Sequence, residues 1–192
     1  DEFTKPAAVY RKGKIRFVPA MTGHEEETFP QPVGKVNEFY ALHSELATFP
    51  SSFKNKGLKE CDFKVSFPEN FIRDIQFLIE LGFASPENLP LIQKITNRFM
   101  PKGKIRDLEY VRVRMKGTRK GKRISLTIDA FTKSRPGWHA PAGAYDTGVP
   151  PSIIAQMIVK GKISKKGVFP AELCIDPLAF FKELKKRNIE VL

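Results

Sequence analysis

Polar and apolar positions alternate most regularly between residues 108 and 131. Val111, Val113 and Met115 fall on one face of the first run, with Tyr110, Arg112 and Arg114 on the other. From Lys122 the alternation resumes with Ile124, Leu126 and Ile128 inward, after the turn residues Gly117-Thr118-Arg119-Lys120-Gly121. A side-chain period of two on both sides of a turn predicts a long antiparallel hairpin, one face covered and the other open.

Helical spacing appears in four stretches. Ile153, Ile154, Met157 and Ile158 form an apolar stripe closed by Gly161. Asp146 and Thr147 are its cap candidates, and Pro150 and Pro151 suit a first turn, where a missing N–H costs nothing. Phe71, Ile72, Ile75, Leu78 and Ile79 make a second stripe between Pro68 and Gly82, expected to be core packing. A weaker one follows Ser85-Pro86-Glu87 and reaches about Met100; the last starts at Asp176-Pro177, buries Leu178, Phe181 and Leu184, and ends about Arg187. Strands are expected over 15–18, 36–42, 61–67 and 189–192, with a turn at 11–14. The two prolines of Phe29-Pro30-Gln31-Pro32 exclude helix and central strand and predict an extended surface or edge segment. The pattern as a whole is α+β, one domain over 1–192, with a largely antiparallel or mixed sheet and helices packed on one face.

Composition narrows the class. A chain of 192 residues with 41% hydrophobic and 28% charged residues can pack a core and is too apolar for disorder. Sixteen phenylalanines predict an aromatic-rich core or interface. No apolar run is long enough to span a membrane, and Asp1-Glu2-Phe3-Thr4-Lys5 reads as the interior of a longer protein rather than a secretory signal. Cys61 and Cys174 lack metal-ligand spacing and are expected to be free buried thiols of a cytoplasmic protein. The net charge of +12 admits nucleic acid, anionic lipid, an acidic substrate or a phosphate-bearing cofactor, and equally a solvated face. Gly-x-Gly-x-x-Gly, P-loop, Gly-x-Ser-x-Gly, His-Glu-x-x-His and Cys-x-x-Cys motifs are absent, and three histidines make a metal cluster improbable.

Three groups of residues offer chemistry. In His43-Ser44-Glu45-Leu46-Ala47-Thr48, Ser44 can cap a short helix with Glu45 at its positive end and His43 a satisfied surface group. Alternatively these strand-end groups face a cleft, with His43 trading a proton and Glu45 meeting an ammonium. Arg112 and Arg114 are either solvated or placed to bind a carboxylate or phosphate bidentately. Trp138 and His139, on a loop rich in Pro and Gly, either line a pocket or plug the base of the sheet. The tip Thr118–Arg123 reads as exposed loop, and on the sheet face only Tyr110 and Phe131 could stack a base. An RNA-binding module is therefore the alternative, not the leading reading.

Tyr145-Asp146-Thr147-Gly148-Val149-Pro150, the Ala155-Gln156-Met157 that follows, and Gly167-Val168-Phe169-Pro170-Ala171-Glu172 resemble the C-terminal part of the saccharopine dehydrogenase family. Phe29-Pro30-Gln31-Pro32-Val33-Gly34 and His43-Ser44-Glu45-Leu46-Ala47-Thr48-Phe49-Pro50 are similar to its substrate domain in the same order, with Phe49 in place of the usual Leu. The family includes saccharopine, lysine 6- and carboxynorspermidine dehydrogenases. The resemblance implies a substrate-binding and dimerisation domain like the C-terminal domain of glyceraldehyde-3-phosphate dehydrogenase-like folds, preceded by a Rossmann domain for NAD or NADP. This chain alone would bind no cofactor and lack activity, and its substrate would be an amino acid or polyamine derivative. If the chain is such a domain, His43 is expected to handle a proton, and Glu45, Thr48, Arg112, Arg114, Trp138 and His139 to bind substrate. Thr147 and Gly148 would face the substrate or nicotinamide through backbone N–H groups. The family's Gly-Gly-x-Pro-Gly element is missing, and Tyr145-Asp146 stands where the lysine branch has Arg-Thr, so that arginine's contact does not carry over.

Overall fold

Lys12 and Gly13, both at positive φ (50° and 79°), fold the start of the chain into a hairpin of β1 (Ala7–Arg11) and β2 (Lys14–Val18). The computed structural model describes residues 3–85, 87–99 and 106–192, and the chain divides into two compact units, Asp1–Pro101 and Lys102–Leu192. Among the described residues there are three antiparallel three-stranded sheets and five α-helices, an α+β fold.

In the first unit β1 is central, flanked by β2 and β5 (Glu60–Cys61), and it buries Ala7, Ala8, Val9 and Tyr10. A second sheet has the order β3 (Glu25–Thr28), β4 (Lys35–Tyr40), β6 (Lys64–Val65). The three-glutamate run is thus an edge strand, its repulsion offset by the ion pairs Lys35–Glu26 and Lys64–Glu25. Phe29 to Gly34 is not extended as expected but closes this hairpin, the Phe29 N–H donating to the Gly34 carbonyl at 2.8 Å. Strand 61–67 is also corrected: it is two short pieces in different sheets. Arg11 donates to the Cys61 carbonyl and pairs with Asp62, taking the chain out of the ladder between them. Gly23 (φ 70°) is obligatory, since a Cβ there would lie 2.1 Å from the Tyr40 ring.

Helix α1 (Glu45–Ser52) seats Leu46 against Ala8 and Tyr10. Helix α2 (Glu69–Glu80) starts after Pro68 and stops at Gly82 (φ 78°), and α3 spans Leu89–Phe99, close to the predicted limits. Pro86 and Met100 lie outside the described residues. The expectation that α2 is core packing is overturned: none of its residues is buried, and Phe71 and Phe77 are 43% and 59% exposed. Its apolar stripe is real, and among the described residues Phe67 and Phe3 meet it through Phe71, with ring centres 5.5 and 6.2 Å away.

In the second unit β7 (Leu108–Arg119) and β8 (Lys122–Lys133) pair through a two-residue turn, Lys120-Gly121, with φ of 51° and 76°. β9 (Glu190–Val191) adds to β8. The register sets Val111, Val113, Met115 and Gly117 opposite Ala130, Ile128, Leu126 and Ile124, which is the predicted shared face. Against expectation that face is largely open: Val111, Val113, Met115, Ile124 and Leu126 are 44–49% exposed.

Helix α4 (Ala142–Val159) packs on the base of this sheet and against α5 (Pro177–Lys185). Its buried stripe is Tyr145, Val149, Ile153 and Met157, spaced by four and joined by Leu184 and Ile189, rather than the predicted set with Ile158, which is 54% exposed. Asp176 caps α5 as expected, and Phe181 and Leu184 pack inward as predicted, joined by Ala179 and Phe180, while Leu178 is instead 69% exposed.

Candidate functional site

In the first unit the chain leaves β4 and turns into α1 through His43 and Ser44. Ser44 holds the cap position, but its side chain makes no capping bond. His43 Nδ1 instead contacts Glu45 Oε2. Because a carboxylate only accepts, the imidazole proton on that side is on Nδ1, and neutral His43 keeps its lone pair on Nε2. The ring is held from its flat side by Phe63, stacked at 3.9 Å and 12°. His43 and Glu45 remain 43% and 37% exposed, so the pair meets solvent and anything dissolved in it. Thr48 is three residues after Glu45 on α1, on the same helix face and half-buried. These three predicted residues are therefore brought together. Nearby Cys61 is a half-buried free thiol whose pKa is raised by burial and then by the Asp62 carboxylate, which disfavours a reactive thiolate.

On the hairpin, Arg112 and Arg114 share one face, as the alternation predicts. Arg112 already grips a carboxylate, Nε and Nη2 donating to the two oxygens of Asp129 at 2.7 Å each. Both side chains are 15% exposed. The hydrogen bond from Arg112 holds the Asp129 carboxyl below its usual range. This bidentate pair was invisible in the sequence because Asp129 is seventeen residues away and becomes the direct cross-strand neighbour only in this register.

The start of α4 gathers the remaining residues. Arg135 and Ala140 exchange backbone hydrogen bonds (2.9 and 3.3 Å), closing a small loop that carries Trp138 and His139. Trp138 meets Tyr145 edge-on at 5.5 Å and is otherwise open, 72% exposed; His139 is exposed at φ 51°. Arg135 also lies over the Tyr145 ring, 4.6 Å from its centre. Both the Tyr145 hydroxyl and Arg135 Nη2 donate to the Arg187 carbonyl, at 2.9 and 2.8 Å.

The predicted cap of α4 is corrected. The helix begins four residues before Asp146, and Asp107 accepts from the Ala142 N–H at 2.9 Å. The helix start therefore rests on a side chain thirty-five residues upstream. Pro150 and Pro151 are interior, so the carbonyls of Asp146 and Thr147 lose the donors a regular helix would supply. Thr147 and Gly148 sit in the second turn, where N–H groups are used within the helix, and both are exposed; apart from its chain neighbours and its own helix backbone, nothing lies within 4 Å of where a Gly148 Cβ would be.

Sequence reading missed the acidic groups beside this helix start. Glu109 lies against Gly143, where a Cβ would fall 2.6 Å from its Oε2 and would push that carboxylate aside. Burial, and then the charge of Glu109, push Asp146 up to about 6. Glu109 is likewise raised, by burial and then by Asp107. No His, Cys, Asp or Glu cluster among the described residues fits a metal ion, and none of their helices is long and apolar enough to cross a membrane.

The sequence was compared with protein families. It matches the saccharopine dehydrogenase C-terminal domain over residues 1–189, nearly the whole chain.

Proposed function

Since the chain belongs to the saccharopine dehydrogenase C-terminal domain family, we propose that it is the substrate-binding and dimerisation domain of an NAD(P)-dependent amino-acid oxidoreductase. The match over residues 1–189 carries this reading. The reaction would oxidise a carbon–nitrogen single bond of an amino-acid or polyamine-derived substrate. A nicotinamide cofactor, held by an N-terminal Rossmann domain, would accept the hydride from carbon while the nitrogen gives up a proton, leaving an imine. This chain's part is to bind, orient and manage that proton.

In the first unit His43 Nε2 is proposed as the proton acceptor, with Glu45 fixing the ring and using its other oxygen, beside Thr48, for a substrate ammonium. In the second unit Arg114 is proposed to meet a substrate carboxylate, with Arg112 bracing the same face through Asp129. Trp138 and His139 would line the substrate, and Thr147 and Gly148 would present an open helix surface toward substrate or nicotinamide. The open apolar face of β7 and β8 would join two copies. Two free thiols agree with a cytoplasmic setting.

The test is NAD(P) reduction by the chain joined to its cofactor domain, over saccharopine, lysine and carboxynorspermidine. One substrate should be oxidised, and His43→Ala should lower kcat by about 10²–10⁴-fold. No turnover with any of them, or an unaffected His43→Ala enzyme, refutes the proposal. The 192-residue chain by itself should be inactive.

A further inference from the structure

Charge is divided sharply between the two units. Residues 1–101 carry thirteen basic and thirteen acidic groups; residues 102–192 carry twenty and eight, the whole of the +12. Within that half it concentrates again. Between residues 113 and 128, the distal half of the β7–β8 ribbon, there are six cations and no carboxylate. Lys116, Arg119, Lys120, Lys122 and Arg123 are all exposed, and none is in an ion pair among the described residues. Six like charges on one ribbon repel one another, and an external polyanion would relieve that repulsion.

The register decides which polyanion. Arg114, Lys116 and Arg123 share a face with the hydroxyls of Thr118, Ser125 and Thr127, while Arg119 and Lys122 lie on the opposite face with Met115, Leu126 and Ile124. A lipid surface would call for apolar and cationic side chains to enter together, which the face of Arg119 and Lys122 offers and the hydroxyl-bearing face does not. Cations interleaved with hydroxyls suit phosphodiester oxygens, which accept from both. The distal ribbon has no aromatic side chain, and Tyr110 and Phe131, at its base, pack on each other at 4.9 Å, so base stacking contributes little.

We propose that the distal β7–β8 ribbon binds the phosphate backbone of nucleic acid without sequence preference, a second activity beyond substrate binding. Counterion release then fixes the expected behaviour. Three contacts, from Lys116, Arg123 and Lys120 at the turn, give a slope of log K against log salt of about −2.7 on duplex DNA and about −2.1 on a single strand. Affinity should be on the order of micromolar at about 50 mM salt. The experiment titrates the full chain with labelled duplex DNA, single-stranded RNA and phosphatidylserine vesicles at several salt concentrations. Lys116→Ala/Lys120→Ala/Arg123→Ala should reduce the slope by about 2 to 3, and Lys116→Arg/Lys120→Arg should keep it. An unchanged melting temperature shows that the alanine variant is folded. The proposal is overturned by no binding to either nucleic acid at about 50 mM salt, by an alanine variant with the parent slope, or by capture on vesicles alone.

Discussion

With Nδ1 of His43 donating to Glu45, the ring presents Nε2 as its only lone pair, and Phe63 keeps that nitrogen from turning away. Tautomer control of this kind is measurable without cofactor or substrate. In ¹⁵N spectra at about pH 8.5, where an imidazole is ordinarily neutral, His43 should show a protonated Nδ1 and a bare Nε2. Glu45→Ala should shift both resonances toward a mixture of tautomers, and identical spectra would remove Glu45 from this role. Asp146 makes a second prediction through linkage. Its folded value of about 6 lies above the ordinary 3.8, so between those values the folded chain keeps a proton that the unfolded chain has released. Stability from this group is therefore greatest below pH about 4, falls as pH rises to about 6, and is level above. Asp146→Asn should flatten that descent relative to the parent and raise the melting temperature near pH 7. Because the group is half-exposed the gain is on the order of 1 kcal/mol, about 2–4 °C for a chain of this size. Melting curves at pH 4.5 and 7.5 for both proteins check the sign.

At the scale of elements, the two caps of the second unit differ in how their partners are supplied. Asp176 accepts from the N–H groups of Leu178 and Ala179 (3.2 and 3.3 Å), both within its own helix. Asp176→Ala should cost about 1 kcal/mol, read by chemical denaturation. The cap of α4 comes from Asp107, across a hairpin. That contrast explains what the sequence told. Local signals were legible: Asp176-Pro177, Pro68 with Gly82, and the alternation of β7 and β8 each predicted an element near its observed place. Features set by distant residues were not. The true start of α4 depends on Asp107, the fate of Arg112 on Asp129, and the splitting of 61–67 on Arg11. Periodicity marked apolar faces correctly on α2 and the hairpin, but it could not say whether another layer would cover them. Among the site residues, His43 and Glu45 were visible as a pair because two positions separate them; Glu109 beside Gly143 was not, because thirty-four do.

At the scale of the whole molecule, an apolar sheet face and a charge of +12 pull in opposite directions when two copies meet. An isologous pairing through Val113, Met115 and Leu126 would bury side chains now 45–49% exposed, each contributing on the order of 1 kcal/mol. Bringing two strongly basic chains together opposes this by a long-range repulsion that salt screens, over about 10 Å at 0.1 M and about 3 Å at 1 M. The proposed dimer should therefore tighten as salt rises, whereas nucleic-acid binding by the same ribbon should weaken. Light scattering should report a mass near twice 21.8 kDa, with the dimer fraction growing between about 0.05 and 1 M salt. Met115→Asp/Leu126→Asp places two carboxylates in that face and should give a folded monomer of 21.8 kDa at every salt concentration, its circular dichroism unchanged. A parent chain that is monomeric throughout, or a double variant that still dimerises, would mean that this face does not join two copies.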